Sequence, residues 1–319
     1  MSMQNLFSAG LLNTSPALWH NSAFFSLTRT ATVSKQSNWF TEISDAGTLF
    51  GFELTENGKL HEEQTSYQHL EIYDTKTFGK LMTLDGFTMV TTRDNFVYHE
   101  MLAHPVLFSH AAPKRVCIIG GGDCGTLREV LKHDVVESVI QIDIDERVTR
   151  MSEKYFPELC ESNHDPRATL AFEDGIAWIN NAPAGSLDVL IVDSTDPIGP
   201  GAVLYSEAFF KGCWRALGEG GLLVQQSESP LVHLEKIIQP MHATMRQAGF
   251  TAIQFHQFQQ VCYPTGWWSC TIAAKQGQIA FKRKAAAQQL TFPTRYYNAD
   301  IHEASAVLPQ FLKQALIIG

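Results

Sequence analysis

Arg115-Val116-Cys117-Ile118-Ile119-Gly120-Gly121-Gly122-Asp123-Cys124-Gly125 is an apolar run that breaks into a glycine-rich turn. The run from Arg115 to Ile119 reads as a buried strand. Residues Thr126 to His133 then read as a helix. Glycines between a strand and a helix let the backbone come close to a ligand, and the helix start offers free N–H groups. The turn is a weak signal by itself, and its surroundings sharpen it. Ser138–Ile144 reads as the next strand, and Asp143 lies near its end. That is about 20 residues beyond the glycines, where Rossmann-like proteins hold a ribose diol. A carboxylate there can accept both hydroxyl protons, and an ordinary strand-end acid is the weaker reading.

The same alternation continues outward. Glu146–Phe156 reads as a helix, Ala168–Phe172 and Leu187–Asp193 as strands, Tyr205–Leu217 as a helix and Gly221–Gln225 as a strand. Leu231–Ala248 reads as a helix, Thr251–Phe258 and Trp268–Ala274 close the sheet, and Ala304 to Ile318 reads as one packed C-terminal helix with His302 beside it. Strands separated by helices of this length predict a doubly wound α/β sheet over residues 104–319. Residues 38–103 read differently. Asp85-Gly86 between two alternating runs is a hairpin signal, so a small antiparallel β domain is expected there. Phe96 to Phe108 has helical spacing. Residues 1–37 carry Arg29, Lys35 and no acid, and read as a disordered extension rather than a transit peptide.

A second segment carries chemistry. Asp193-Ser194-Thr195-Asp196-Pro197-Ile198-Gly199-Pro200-Gly201 follows the strand whose apolar residues are Leu187 and Val189 to Val192. In open α/β sheets this edge is where ligands bind. Paired carboxylates there can grip a cation or take a proton from an amine. Turn chemistry explains the same residues equally well when they are read alone. Asp123 bears on the choice. It puts negative charge where a pyrophosphate would sit, which disfavours NAD and FAD, and it would repel the carboxylate of a methionine moiety. It would attract an ammonium, so the expected ligand is adenosine-like with a cationic tail. Asp174 and Gly175 suit an adenine amine and close ring packing, although a solvated Asp-Gly turn is nearly as good a reading.

The totals bound the classes. The chain has 319 residues, 45% of them apolar and 18% charged, with a formal charge of -9. That is an ordinary globular composition with no basic surplus for nucleic acid. Six cysteines are scattered without a Cys-x-x-Cys pair, which suggests reduced thiols in a cytoplasmic protein and no zinc site. No run of 18 apolar residues occurs, so no membrane span is expected.

Several motifs in order then fit one family. They are Leu84-Asp85-Gly86, Arg93-Asp94, Tyr98-His99-Glu100-Met101, Ile119 to Asp123, Leu127-Arg128-Glu129, Asp193 to Gly201, Gln226-Ser227-Glu228-Ser229-Pro230 and Arg295-Tyr296-Tyr297-Asn298. Over about residues 39–319 the chain resembles the polyamine aminopropyltransferases, most closely the bacterial spermidine synthases. The resemblance implies a methyltransferase-type Rossmann domain after a small β domain, assembled as a homodimer or homotetramer. It implies transfer of the aminopropyl group of decarboxylated S-adenosylmethionine to a diamine, classically putrescine, giving spermidine and 5′-methylthioadenosine. The nucleoside is then a co-substrate, and no cofactor or metal is implied. By position, Asp193 resembles the family's proton acceptor. Tyr98, Asp196, Gln226, Glu228 and Tyr263 resemble its amine-site residues, with His99 as a polyamine contact. Gln68, Asp123, Asp143, Asp174, Gly175 and Pro200 resemble its nucleoside-site residues, beside Gly120 and Gly122 of the turn.

The chemistry agrees with these positions. A primary amine with a pKa near that of Lys, ~10.4, is protonated at neutral pH and cannot attack. Carboxylates attract it and can accept its proton, aromatic faces favour an alkyl cation, and a sulfonium leaves without needing an acid. Two positions depart from the family, which usually has Glu at Asp143 and Gly at Cys124. A shorter acid alters the ribose contact, and a Cys held at positive φ would be strained. A methyltransferase on the same fold is the main rival, and a non-catalytic polyamine or nucleoside binder the second. Acceptor length is open among putrescine, cadaverine, agmatine and spermidine.

Overall fold

The computed structural model describes residues 38–43, 47–195, 197 and 199–316. The expected extension over 1–37 and the acid Asp196 lie outside the described residues.

Strands β1 (Trp39–Ile43), β2 (Leu49–Gln64), β3 (His69–Thr75), β4 (Gly79–Leu84) and β5 (Phe87–Thr91) form one antiparallel sheet in sequential order. Leu84 pairs with Phe87 across the expected two-residue turn. Asp85 and Gly86 take φ of 52° and 83°, the paired positive values that match a turn to the twist of its strands. In β1 the alternation turns Phe40 and Glu42 inward together, so an acid occupies a core-side position.

Helix α1 (Asn95–Ser109) follows, and every residue in it but Phe96 is buried. It packs against helix α2 (Gly125–Leu131) and against the second sheet. Pro105 inside α1 removes a backbone donor and leaves the Met101 carbonyl without its helical partner. Cys270 Sγ donates to that oxygen at 3.5 Å. Glu100 is buried and accepts the backbone N–H groups of Arg295, Tyr296 and Tyr297 at 2.7–2.8 Å. Two of the sequence motifs are therefore halves of one anchor that ties the C-terminal segment to α1.

The second sheet contains β6 (Arg115–Gly120), β7 (Ser138–Asp143), β8 (Ala168–Phe172), β9 (Leu187–Asp193), β10 (Leu217–Gln226), β11 (Ala252–Gln259) and β12 (Trp267–Ala274), in spatial order β11-β12-β10-β9-β6-β7-β8. The β6–β10 set is parallel, whereas β12 runs antiparallel to both neighbours. Between these strands run α3 (Glu146–Tyr155), α4 (Gly175–Asn181), α5 (Glu207–Ala216) and α6 (Gln239–Gln247). The architecture is the expected Rossmann-like α/β sheet after an antiparallel β unit. Among the described residues, no helix is long and apolar enough to cross a membrane.

Three helix expectations need correction. The segment read as one helix from Tyr205 begins as a 3₁₀ turn over Gly199–Tyr205, with α5 starting only at Glu207, where Ser206 caps it. The segment from Leu231 opens with a π turn over Leu234–Ile238, and Pro240 then fits the first turn of α6, where no N–H is needed. The C-terminal stretch is not one helix. After α7 (Lys284–Gln288), helices α8 (Ala299–Ser305) and α9 (Gln310–Leu316) are separate, because Pro309 cannot continue a helix and biases Leu308 away from helical backbone.

Candidate active site

The strand order reverses between β6 and β9: the chain runs from β6 toward β8 on one side and from β9 toward β10 on the other. A crevice at the carboxyl ends of the strands forms at such a switch point. Here those ends carry the two segments singled out in the sequence, and Gly120 stands directly opposite Asp193 in register. A Cβ on Gly120 would lie 2.1 Å from the Asp193 carbonyl oxygen, and the residue has φ of 83°. Gly121 N–H donates to that same oxygen at 2.8 Å. The glycine turn is thus tied to the acid by backbone contact. Gly122 makes a second close approach, since its Cβ would stand 2.8 Å from Asp143 Oδ2.

Each oxygen of the Asp193 carboxylate has its own hydroxyl donor. Tyr98 OH donates to Oδ1 at 2.7 Å, and Thr126 Oγ1 donates to Oδ2 at 2.6 Å. Burial and then the neighbouring Asp123 push the Asp193 carboxyl above the usual carboxylate range, while His99, Thr126 and Tyr98 pull the other way. Asp123 Oδ1 accepts the Gly125 N–H at 2.7 Å, and Oδ2 lies 3.1 Å from His99 Nε2. Burial opposes the charge on both partners, yet the pairing prevails, so Asp123 is held low and His99 is raised. Burial and Asp193 together raise the Tyr98 phenol well above its ordinary value, which keeps it a donor.

Beside this carboxylate is a cleft between the hairpin β4–β5 and the second sheet. Its walls include Tyr98, Tyr263, Trp268, Gln226, Met89 and Glu42. The Tyr98 and Tyr263 rings meet edge to face at 5.7 Å, and Tyr263 lies 4.7 Å from Trp268. Tyr263 OH donates to the Met89 carbonyl at 2.7 Å, which locks the ring to the hairpin. Gln226 Nε2 donates to Tyr205 OH at 2.9 Å and to Glu228 Oε1 at 2.8 Å. Glu228 is fully buried at φ of 64°, and its Oε2 lies 3.5 Å from His233 Nδ1. Glu42 is 5% exposed and accepts the Thr88 N–H at 2.8 Å. Glu42, Thr126 and Tyr205 were not singled out in the sequence. For Glu42 a signal existed in the shared parity with Phe40, which places it on the inward face.

The nucleoside-type residues lie on the other side of the glycine turn. Asp143 ends β7, and its Oδ1 accepts the Asp145 N–H at 2.9 Å. Burial, with charge from Asp145 and Asp193, pushes its carboxyl up to about 6 against the pull of backbone donors. Gln68 Nε2 and Thr65 Oγ1 both donate to Asp145 Oδ2, at 2.9 and 2.7 Å, so the β unit reaches this edge through Asp145. Asp174 caps α4 through the Ile176 N–H at 2.8 Å, and Gly175 packs on Ile119. Pro200 lies in the 3₁₀ turn, and its side chain is outside the described set. Cys124 does take the left-handed backbone expected to strain it, with φ of 67°, and its thiol is fully buried. Among the described residues, Glu62, His69 and Glu71 form a cluster with metal-ligand spacing. Lys59 Nζ already donates to both of its acids, at 2.9 and 2.7 Å.

Two family models match this arrangement. Residues 95–283 match the spermine/spermidine synthase domain, and residues 38–92 match the spermidine synthase tetramerisation domain. The chain belongs to the spermine/spermidine synthase family. Its relatives include the polyamine aminopropyltransferase of Thioalkalivibrio sulfidiphilus, 57% identical over 284 residues that cover 89% of this chain and 99% of the relative. The enzyme of that name from Methylococcus capsulatus is 59% identical over 280 residues, covering 88% and 97%. Solved structures agree with the fold. A spermidine synthase in complex with the transition-state analogue AdoDATO superposes with a TM-score of 0.83 at 34% identity, covering 88% of this chain and 95% of that one. The spermidine synthase of Thermotoga maritima gives 0.81 at 33% identity, covering 88% and 94%.

Proposed function

We propose that this family member is a polyamine aminopropyltransferase that moves the aminopropyl group of decarboxylated S-adenosylmethionine to putrescine, yielding spermidine and 5′-methylthioadenosine. The observation that carries the reading is Asp193, a buried carboxylate held by two hydroxyls at the sheet's switch point, with an aromatic cleft on one side and Asp143 on the other. The diamine enters the cleft as a cation against the Tyr98 and Tyr263 rings, with the Glu42 carboxylate on the cleft wall attracting its far ammonium. Asp193 accepts the proton of the near nitrogen. The freed lone pair attacks the methylene carbon next to the sulfonium, the C–S bond breaks, and its electrons neutralise sulfur as the thioether leaves. Catalysis then consists of orientation and deprotonation. Asp196 is an amine-holding acid in this reading, and Gln226, Glu228 and His99 order the cleft wall. Gln68, Asp174, Gly175 and Pro200 bound the nucleoside, with Gly120 and Gly122 beneath it.

The test is product mass from each donor with a panel of acceptors. Spermidine and 5′-methylthioadenosine from putrescine are the expected products. Methyl transfer from S-adenosylmethionine, with no reaction of the decarboxylated donor, would replace this reading with the methyltransferase one.

Asp143 gives a pH prediction. As the ribose acceptor it binds best when ionised, and it loses that charge as pH falls through about 6. The KM for the nucleoside donor should therefore rise below pH 6, and Asp143→Asn should raise it at neutral pH by about tenfold and flatten that rise. Initial rates at varied donor concentration measure both. A donor KM that stays flat down to pH 5 in the native protein would remove Asp143 from the diol.

Homodimeric or homotetrameric assembly in the cytoplasm belongs to the same proposal. Trp39, Ile43 and Leu49 leave apolar surface on the paired strands β1 and β2, within the segment that matches the tetramerisation domain.

A further inference from the structure

We infer that Thr126 is a positioning residue for the transfer reaction, whose hydroxyl holds Asp193 ionised and aimed while placing no positive charge beside a cationic substrate. The inference rests on the reading of Asp193 as the proton acceptor.

Thr126 is the second residue of α2, and its side chain is fully buried. Its hydroxyl has one proton, and that proton is directed at Asp193 Oδ2 over 2.6 Å. Tyr98 makes the matching bond to Oδ1, so the two donors fix both oxygens from two different elements. The acid needs such help. Burial opposes its charge first, Asp123 from the glycine turn adds like charge, and Asp143 at the end of β7 is a further acid interacting with it. From α1, His99 acts in the opposite sense but is engaged with Asp123. Tyr263, from the loop between β11 and β12, adds a neutral phenol to the surroundings.

A carboxyl group must be ionised before it can serve as the base. An Arg or Lys in contact with Asp193 would secure the anion, but it would also repel the substrate ammonium. Neutral hydroxyl donors favour the anion by hydrogen bonding alone. Each such bond lowers the proton affinity of Asp193 less than a contacting cation would, so the acid can still take the proton. Threonine is suited to this place for a second reason. Its branched Cβ restricts χ1, and the buried methyl limits rotation of the hydroxyl away from Asp193.

The test compares Thr126→Val, which keeps the shape and removes the donor, with Thr126→Ser, which keeps the donor. Both substrates are saturating, and kcat is followed across pH. Thr126→Val should lower kcat about tenfold at neutral pH and move its acidic limb to higher pH. Thr126→Ser should restore the limb to its native position. Thr126→Ala carries the same expectation as Val if the latter does not fold, and thermal unfolding reports that. An acidic limb unmoved in the folded donor-less variant would overturn the inference, as would a Ser variant that behaves like Val. Asp193→Asn in the same series separates the two readings. If it is inactive while the Val profile is native, Thr126 alone loses its role. If it turns over normally, the proton-acceptor reading falls first.

Discussion

Asp193→Asn is expected to lower kcat for aminopropyl transfer by about a thousandfold, the range lost when a positioned general base is removed. Asn keeps the shape and can still accept from Tyr98, but it cannot take a proton from an ammonium. Stability should move in the other direction or not at all. Burial and Asp123 raise the folded-state pKa of Asp193 above its unfolded value. The folded chain therefore binds this proton more readily than the unfolded chain. Ionising the group opposes folding, and that penalty grows as pH rises from the unfolded value through the folded one. A neutral Asn carries no such penalty, so Tm at neutral pH should be unchanged or higher while turnover is lost. Binding of 5′-methylthioadenosine, measured by calorimetry, should stay near the native value. Turnover within tenfold of native would remove Asp193 from proton transfer. A collapse of Tm would instead make it a structural acid.

Much of this site was legible because its parts are punctuation. The glycine turn after β6, the acid ending β7 and the acid ending β9 all occur where an apolar run stops, and strand ends can be found from periodicity alone. What the sequence could not supply was the register that puts Gly120 opposite Asp193, because a parallel pair is joined through distant connections. Glu42 escaped for a related reason. It belongs to a short edge strand, and its importance comes from packing against Thr88, which is 46 residues away. Thr126 looked like an ordinary helix residue, since nothing local tells a buried donor from a buried methyl. Glu100 shows the converse. Its motif pointed to the family, yet its carboxylate serves the backbone of Arg295–Tyr297 and holds the scaffold around the site. The split of the C-terminal helix was written in Pro309, and helical spacing on both sides concealed it.

Asp123→Asn should cost about a hundredfold in kcat/KM for the decarboxylated donor, the loss of one well-placed charged hydrogen bond. Asp123 is held ionised against its burial, with His99 at 3.1 Å and the Gly125 N–H at 2.7 Å. An acid maintained in this way beside a nucleoside edge suits the ammonium of an aminopropyl tail. It also repels the carboxylate that S-adenosylmethionine would bring to the same place. The substitution should therefore weaken the correct donor and relax discrimination against the carboxylated one, so the ratio of the two kcat/KM values falls more than either value alone. His99 loses its anionic partner in this variant. Its raised pKa depends on Asp123, so burial would then keep it neutral. Asp193 is affected in the opposite sense to the Thr126 variants. Asp123 is a charge that raises the Asp193 carboxyl, and a neutral His99 no longer pulls it down; Asp123 is the larger of these two opposing influences, so its removal should move the acidic limb of kcat modestly to lower pH. A donor-less Thr126 moves that limb up and a neutral Asp123 moves it down. Two neighbours with opposite signs on one titration identify Asp193 as the group being titrated. A limb that shifts the same way in both variants would assign the profile to another acid.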